Sequence, residues 1–150
     1  MRGMSIAVPR RAQSDYALAK RYLCRDSMER GIFARIERSP THFRLRIDRR
    51  GDDRFDPNTN AVWWDPYSAL RTTRGGKQSP ALGLAHELDH AVASQDREQQ
   101  RLHQPVPRYD NFEERRVIRG SERHAARTLG EGERFDHRGS LYRVATPVSR

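Results

Sequence analysis

The N-terminal part of the chain carries the apolar pattern of an amphipathic helix. In "YALAKRYLCRDSMER" the apolar residues recur at helical spacing and fall on one side. Ser14 or Asp15 can cap this helix, and Gly31 is the predicted stop. The residues before it have no period and contain Ser, Arg and Pro. We therefore expect disorder over residues 1–15 and a folded domain over residues 16–145.

The next part of the chain has the alternation of half-buried strands. "IFARIER" and "HFRLRID" alternate apolar and charged residues, and "AVWWD" predicts a third short strand that ends at Pro66. "RRGDDRFDPNTN" is rich in turn formers, and "RTTRGGKQS" is predicted to be a loop. The pattern predicts a short mixed sheet over residues 32–65. The tail "RGSLYRVATPVSR" can add one short strand.

Two further helices have clear boundaries in the sequence. Ser79 followed by Pro80 is a strong helix start, because Ser caps and Pro fits the first turn. Apolar residues occupy most of the circumference of the helix predicted from there to about Gln95, which indicates a buried central helix. After the polar stretch "DREQQRLHQPVPR", Asp110 or Asn111 can cap the helix "FEERRVIRGSERHAARTL", which ends at the following glycine.

Composition limits the class of protein without defining its chemistry. The 150 residues carry a net charge of +9, with 35% hydrophobic and 33% charged residues. Cys24 is the single cysteine, which excludes an internal disulfide and fits a reducing compartment. The arginines are spread out and not interleaved with aromatic residues, so we expect no nucleic-acid partner. No apolar run approaches the roughly 18 residues of a membrane span, so no membrane partner is expected either.

The stretch "ALGLAHELDHAV" carries the clearest chemical signal in the chain. His86 and His90 are four residues apart, so on a helix they lie on one face and can bind one ion. Glu87 lies about 100° around that helix, within reach of a water on the ion. This is the H-E-x-x-H pattern of zinc proteases, with Glu87 as general base. The alternative is a helix whose charged face happens to carry two histidines. Buried polar groups need partners, which favours the metal.

A catalytic zinc needs a third protein ligand, and the spacing leaves several candidates. Asp96 lies six residues beyond the second histidine, although Ala93 stands where that class of protease has a helix-breaking glycine. His103 lies in a proline-flanked loop. A third class of protease takes a glutamate from a second helix, and Glu113 and Glu114 stand in the first turn of one. Paired glutamates there are also typical of ordinary helix N-termini.

"HELDHA" followed by "FEERRVIRGSE" resembles the NleD-type type III secretion effector zinc metalloproteases, a family related in motif to the clostridial neurotoxin light chains. "WWDP" before a Gly-Gly loop is also similar, and the resemblance covers residues 40–145. It implies a small zincin-like α+β domain. In that fold a short mixed or antiparallel sheet packs on a central H-E-x-x-H helix, and a second helix bears a ligand. It also implies one Zn²⁺ per chain and peptide-bond hydrolysis.

The resemblance also assigns roles to individual residues of the site. His86, His90 and Glu114 match the zinc ligands, and Glu87 matches the general base. Glu113 then becomes a residue that can hold the outer N–H of a ligand histidine. Glu122, two turns further on, can do the same or be a solvated helix charge.

Two residues near the end of the chain match groups that stabilise the oxyanion in the related toxins. "HRGSLYR" offers Arg138 and Tyr142, at a spacing one residue longer than in the neurotoxin pattern. Arg134 and Arg143 compete with Arg138 for this role, and Tyr142 can instead be a packing aromatic in a terminal strand.

The resemblance implies a biological setting as well. We expect a monomer that a type III system secretes into the host cell cytosol, with residues 1–15 as the export segment. Its partner would be a host protein substrate, a mitogen-activated protein kinase being one candidate, held as an added strand along "AVWWD". The alternative is a catalytically inactive, zinc-stabilised basic interaction module. Glu87 argues against that alternative, because a structural site gains nothing from a base.

Overall fold

The computed structural model describes residues 6–95 and 103–150, which form a small mixed α+β domain. The helices are α1 (Gln13–Leu23), α2 (Ser27–Arg38), α3 (Pro80–Ala93), α4 (Phe112–Val117) and α5 (Arg123–Leu129), with a 3₁₀ turn at Arg10–Ala12 and a π-helical segment at Ile118–Glu122. The strands are β1 (Ile6–Ala7), β2 (Phe43–Ile47), β3 (Arg54–Asp56), β4 (Ala61–Trp64), β5 (Ser68–Arg71), β6 (Lys77–Gln78), β7 (Pro105–Val106), β8 (Asp110–Asn111) and β9 (Ser140–Arg143). None of the helices in these ranges is long and apolar enough to cross a membrane.

The strands form three small sheets. The largest has the order β1-β2-β4-β3, with parallel pairing except between β3 and β4, which are antiparallel. The second has the order β6-β5-β9 and is antiparallel, and β7 pairs with β8. "AVWWD" forms β4 as predicted. The expectation that it is an exposed edge is wrong, because β3 covers it. The edge strand β3 lies in the segment that the sequence assigned to turns.

The first helical region differs from the prediction. The chain breaks after α1, and a second helix, α2, runs through Gly31 and includes "IFARIER", which is therefore not a strand. Asp26 caps α2, since its carboxylate accepts a hydrogen bond from the Glu29 backbone N–H at 3.0 Å. Ile32, Phe33 and Ile36 are all buried, a spacing that fits one helix face, because the adjacent Ile32 and Phe33 would point to opposite faces of a strand.

The N-terminal residues also differ from the prediction. Ile6 is 1% exposed and pairs with Phe43 of β2, and Ala12 is 2% exposed in the core. Residues 6–15 are therefore part of the folded domain, and the expectation of disorder is wrong for them. Residues 1–5 lie outside the described part of the chain, and the expected export role of the segment is still a prediction.

The predicted central helix is confirmed. Ser79 caps α3 by accepting from the Leu82 backbone N–H at 3.3 Å, with Pro80 in the first turn. All of its residues except Gly83 are buried. The indole of Trp64 donates to the Pro80 carbonyl at 2.8 Å, which ties the helix to the largest sheet. Every polar side chain on α3 is thus enclosed and needs a partner.

The helix that follows residue 111 begins and ends as predicted. Asn111 caps α4 by accepting from the Glu114 backbone N–H at 2.9 Å, and α5 ends at Gly130, whose φ of 71° closes it. Between them the π-helical segment contains Gly120 with non-helical angles (φ −99°, ψ −108°). The break at Gly120 changes the direction of the side chains that follow this glycine, including that of Glu122, the last residue of the segment.

Glu29 on α2 gives a test of the fold that does not depend on the site. Its side chain is fully buried, and neither carboxyl oxygen has a hydrogen-bond partner within the described residues. Burial, followed by the nearby charge of Asp26, raises the pKa of Glu29 from 4.5 to about 8. Because the folded pKa lies above the unfolded one, this group's contribution to stability is complete below pH 4.5 and is lost as the pH rises to about 8.

Glu29→Gln is therefore expected to stabilise the protein at high pH. The gain in the free energy of unfolding should be small at pH 4.5 and about 3 kcal/mol at pH 7. Urea unfolding of both proteins from pH 4.5 to 8.5 measures the difference. A difference that does not change with pH would mean that Glu29 is ionised or paired in the folded protein.

Candidate metal centre

Three side chains from two helices meet at one point beside α3. His86 and His90 stand one turn apart on α3, and their Nε2 atoms are 3.0 Å apart. Glu114, in the first turn of α4, places Oε2 at 2.8 Å from the Nε2 of His86 and Oε1 at 3.1 Å from the Nε2 of His90. The spacing on α3 and the cap on α4 together bring these groups into contact.

The outer nitrogens of both histidines are bound by further carboxylates. The Nδ1 of His86 donates to Glu122 at 2.8 Å, and the Nδ1 of His90 donates to Glu113 at 2.9 Å. A carboxylate can only accept, so the proton of each neutral ring lies on Nδ1 and the lone pair lies on Nε2. The two Nε2 atoms and the Glu114 carboxylate then face one another, an arrangement that a bound metal ion or added ring protons can stabilise.

The carboxylates stabilise positive charge at both rings. Burial lowers the pKa of His86, but Glu114 and Glu122 outweigh it and raise the pKa to about 9. Burial likewise lowers the pKa of His90, and Glu113 and Glu114 raise it to about 10. Against the effect of burial, the two histidines hold the pKa of Glu114 far below its usual range. A proton or a metal ion can supply the charge that this cluster favours.

Two arginines bind the carboxylates that hold the outer nitrogens of the histidines. Arg134, which is 8% exposed, forms a salt bridge with Glu122 through both its Nε, at 3.0 Å, and its Nη2. Arg116 donates to Glu113 at 2.6 Å and to Asp89 at 2.9 Å. Each carboxylate that orients a histidine is thus oriented in turn. This rigidity is typical of metal sites whose ligand geometry matters.

Glu87 lies next to this cluster but does not join it. Its Oε1 is 3.8 Å from the Nε2 of His86, and its Oε2 is buried with no hydrogen-bond partner in the described structure. His86, Glu87 and His90 form one group that could hold a metal ion. Glu114 contacts both Nε2 atoms more closely, so it is the better third ligand. Oε2 of Glu87 is then left without a hydrogen bond from any described residue, at a position that lines the cleft.

The cluster opens on a cleft of two connected cavities, of 330 Å³ and 190 Å³. Asp53, Glu87 and His137 line both, so they mark the middle of the cleft. The larger cavity is bordered by the edge strand β3. The smaller one is bordered by Leu70 and Leu141 of the second sheet. An extended chain passing through the cleft would cross directly over Glu87.

Two residues of the cleft were not among the predicted site residues. Asp53 precedes β3 and accepts from the Asp65 backbone N–H at 2.7 Å. Burial, together with the negative charge of Glu87, holds the pKa of Asp53 well above its usual range. His137 places its Nε2 at 3.3 Å from Oε2 of Glu114. Asp53 is hidden in a run of turn formers, whereas His137 directly precedes the expected Arg138 and is one of only 6 histidines.

The structure does not bring Tyr142 to the cluster. In β9, Leu141 pairs with Leu70 and faces the smaller cavity, while Tyr142 pairs with the buried Ala69. Successive residues of a strand point to opposite faces, so the ring of Tyr142 lies on the side away from the cleft. Its hydroxyl is buried and has no partner among the described residues, and Arg71 lies over the ring.

The arginines considered for the same role lie at different distances from the cluster. Arg138 is exposed, lines neither cavity and contributes a backbone N–H to Asp136 at 3.0 Å. Arg143 pairs with Asp65 at 2.5 Å, away from the histidines. Of the three arginines considered, Arg134 is the one at the site, and it acts through Glu122. The geometry therefore gives no support to an oxyanion role for Arg138 or Tyr142.

The structure also distinguishes between the candidates for the third ligand. His103 lines the outer part of the larger cavity and belongs to no group of described residues that could hold a metal. Asp96 lies outside the described residues. Glu113 binds the outer nitrogen of His90 rather than its Nε2. Glu114 is the candidate whose carboxylate reaches both histidines.

No protein-family model, curated protein or solved structure matches this chain.

Proposed function

We propose that this protein is a zinc-dependent endopeptidase with a zincin-like arrangement of its helices. One observation carries the proposal: two histidine Nε2 atoms and a carboxylate converge beside a buried glutamate whose Oε2 has no hydrogen-bond partner among the described residues. A purely structural metal site has no use for that glutamate. The motif resemblance to NleD-type effectors, which rests on the same residues, supports the same function.

His86, His90 and Glu114 would hold one zinc ion per chain. Imidazole nitrogens and a carboxylate oxygen are ligands that zinc prefers, and two histidines with one glutamate is a known catalytic set. When bound, zinc polarises the substrate carbonyl and makes a coordinated water acidic near neutral pH. Glu113 and Glu122 keep the two imidazoles in the tautomer that zinc requires.

Glu87 would move the protons of the reaction. Its free Oε2 takes a proton from the attacking water as the water oxygen bonds to the carbonyl carbon. The same carboxyl group then gives that proton to the departing amide nitrogen when the C–N bond breaks. The products are a new carboxylate and a new amine. Burial of Glu87, which is 6% exposed, excludes competing solvent from this exchange.

The edge strand β3 would hold the substrate. It is the outer strand of its sheet, and Arg54 and Phe55 line the cavity that also contains Glu87 and His90. Its outward N–H and C=O groups can pair with an extended peptide as a further strand. The strand "AVWWD" was expected to serve this purpose. The role passes to β3, because β4 is already paired on both sides.

The biological setting of the proposal rests on the motif resemblance. The protein would be a virulence effector delivered by a type III system into the host cytosol, where it cuts a host protein. A signalling kinase remains the candidate substrate. A net charge of +9 would favour a substrate with an acidic docking face. The second candidate function is an inactive zinc-stabilised interaction module, which His137 favours because it can close the site.

Removal of zinc tests the proposal. The protein is incubated with an unfolded polypeptide such as casein, before and after zinc is removed with a chelator, and products are read by mass spectrometry. Cleavage should be lost on chelation and return with one equivalent of Zn²⁺ but not with Mg²⁺, whose preferred ligands are oxygens. Circular dichroism of the chelated sample controls for unfolding. Cleavage that persists without metal would contradict the proposal, whereas bound zinc without cleavage of any tested substrate would favour the interaction module.

A further inference from the structure

We infer that His137 is a fourth protein ligand of the metal in the resting protein, so that the site is closed until a substrate displaces this side chain. The inference rests on the proposed metal site and goes beyond its three-ligand set. His137 is the histidine in the middle of the cleft, and neither the H-E-x-x-H motif nor the family resemblance gave it a role.

The hydrogen bonding of His137 repeats that of the two helix ligands. Its Nδ1 donates to Oδ2 of Asp110 at 2.5 Å, as His86 donates to Glu122 and His90 to Glu113. The carboxylate again places the ring proton on Nδ1 and the lone pair on Nε2. Histidines that bind metals nearly always have such a partner on their other nitrogen.

The lone pair of His137 faces the same point as the other ligands. Its Nε2 is 3.3 Å from Oε2 of Glu114, a distance at which both atoms can bind one cation. Tetrahedral ligands of zinc lie about 3.3 Å from one another, given metal–ligand distances of about 2.0–2.1 Å. The contacts among His86, His90 and Glu114, at 2.8, 3.0 and 3.1 Å, belong to the same range. His86, Glu114 and His137 also form a group that could hold a metal ion.

The residues that hold His137 in place have an unfavourable backbone conformation. The His137 N–H donates to the Arg108 carbonyl at 2.6 Å, and Asp110 holds the ring. Arg108 and Asp110 have φ values of 73° and 69°, in the left-handed region that side chains rarely adopt. Strain of this kind persists where the surroundings fix it, and it is frequent at functional sites.

The position of His137 indicates what would follow if a substrate displaced its side chain from the metal. It lines both cavities together with Asp53 and Glu87, so a peptide that crosses the cleft at Glu87 would displace it. Its segment lies between Gly130 and Gly139, whose φ values of 71° and 146° suit glycine. Displacement would open the fourth position that a catalytic zinc needs and would admit the water that Glu87 deprotonates.

The test compares the native chain with His137→Ala and His137→Phe, the second of which keeps a ring but has no ligand atom. X-ray absorption on the zinc-loaded proteins counts the imidazoles bound to the metal, and competition with a chromophoric chelator gives zinc affinity. We expect three imidazoles in the native chain and two in both variants, with zinc affinity at least about 10-fold weaker.

His103→Ala is the matched control, because this histidine lines the same cleft without contacting the cluster. It should retain native zinc affinity. Two imidazoles in the native chain, or unchanged zinc affinity in both His137 variants, would overturn the inference and leave the three-ligand site intact. A native chain that binds no zinc would overturn the inference and the proposed function together. Circular dichroism of the chelated variants checks that each still folds.

Discussion

Glu87→Gln is expected to keep one zinc per chain and to reduce peptide cleavage by at least about 100-fold. The amide has nearly the shape of the carboxylate but cannot accept a proton from water. Among the described residues, Glu87 makes no ion pair shorter than 3.8 Å, so its replacement should not loosen the ligand shell. Zinc content by elemental analysis and the rate of cleavage of one peptide, with both proteins at the same zinc occupancy, measure the two effects.

Glu133→Gln is the matched control for this substitution. Glu133 pairs with Arg127 at 3.0 Å and lines neither cavity, so the same change of charge there should leave the rate unaltered. Cleavage that survives Glu87→Gln would reject the mechanism. Loss of zinc from this variant would instead make Glu87 a metal ligand, since it stands in one of the possible metal groups with His86 and His90.

Glu114→Ala is expected to weaken zinc binding by at least about 100-fold, more than any residue outside the ligand shell would. The carboxylate contacts both Nε2 atoms, and its loss leaves two ligand histidines without their shared anion. Glu113→Ala should weaken zinc binding by only about 10- to 100-fold, because that carboxylate orients His90 from its other nitrogen. Titration against a chelator of known affinity ranks the two. The reverse order would make Glu113 the third ligand.

The parts of the fold that local chemistry determines could be predicted from the sequence. Ser79 and Pro80 start α3, and Asn111 starts α4, because each cap acts within its own first turn. The four-residue spacing of His86 and His90 fixes them on one helix face wherever the helix lies. These short-range features were enough to predict both helices and two of the converging groups.

The first helices show where a local pattern has two interpretations. Ile32 and Ile36 fit a half-buried strand as well as one face of a helix, whereas burial of Phe33 fits only the helix, and Gly31 was taken as a stop. The deciding signal was Asp26 with Glu29 three residues later, which resembles a capping box at the start of a helix. The sheet order was beyond local reasoning, because the strand that covers β4 depends on long-range pairing.

The C-terminal residues of the site also depend on long-range pairing that a local sequence pattern cannot predict. Whether Leu141 or Tyr142 faces the cleft depends on the register of β9 against β5, and a shift of one residue would exchange them. The motif spacing contains no information about that register. His137 reaches Glu114 because Asp110 and Arg108 hold it, and those residues are about 27 positions away in sequence. Asp53 likewise meets Glu87 only through the packing of the sheet on α3.

The zinc content of the native chain, purified without chelators, tests the central claim most directly. Elemental analysis should find one zinc per chain, because two imidazole Nε2 atoms and a carboxylate converge beside α3 as zinc ligands do. A protein that carries no zinc, and takes up none when supplied with it, would contradict the account. The cluster of His86, His90 and Glu114 would then be a buried ion-pair network held by protons.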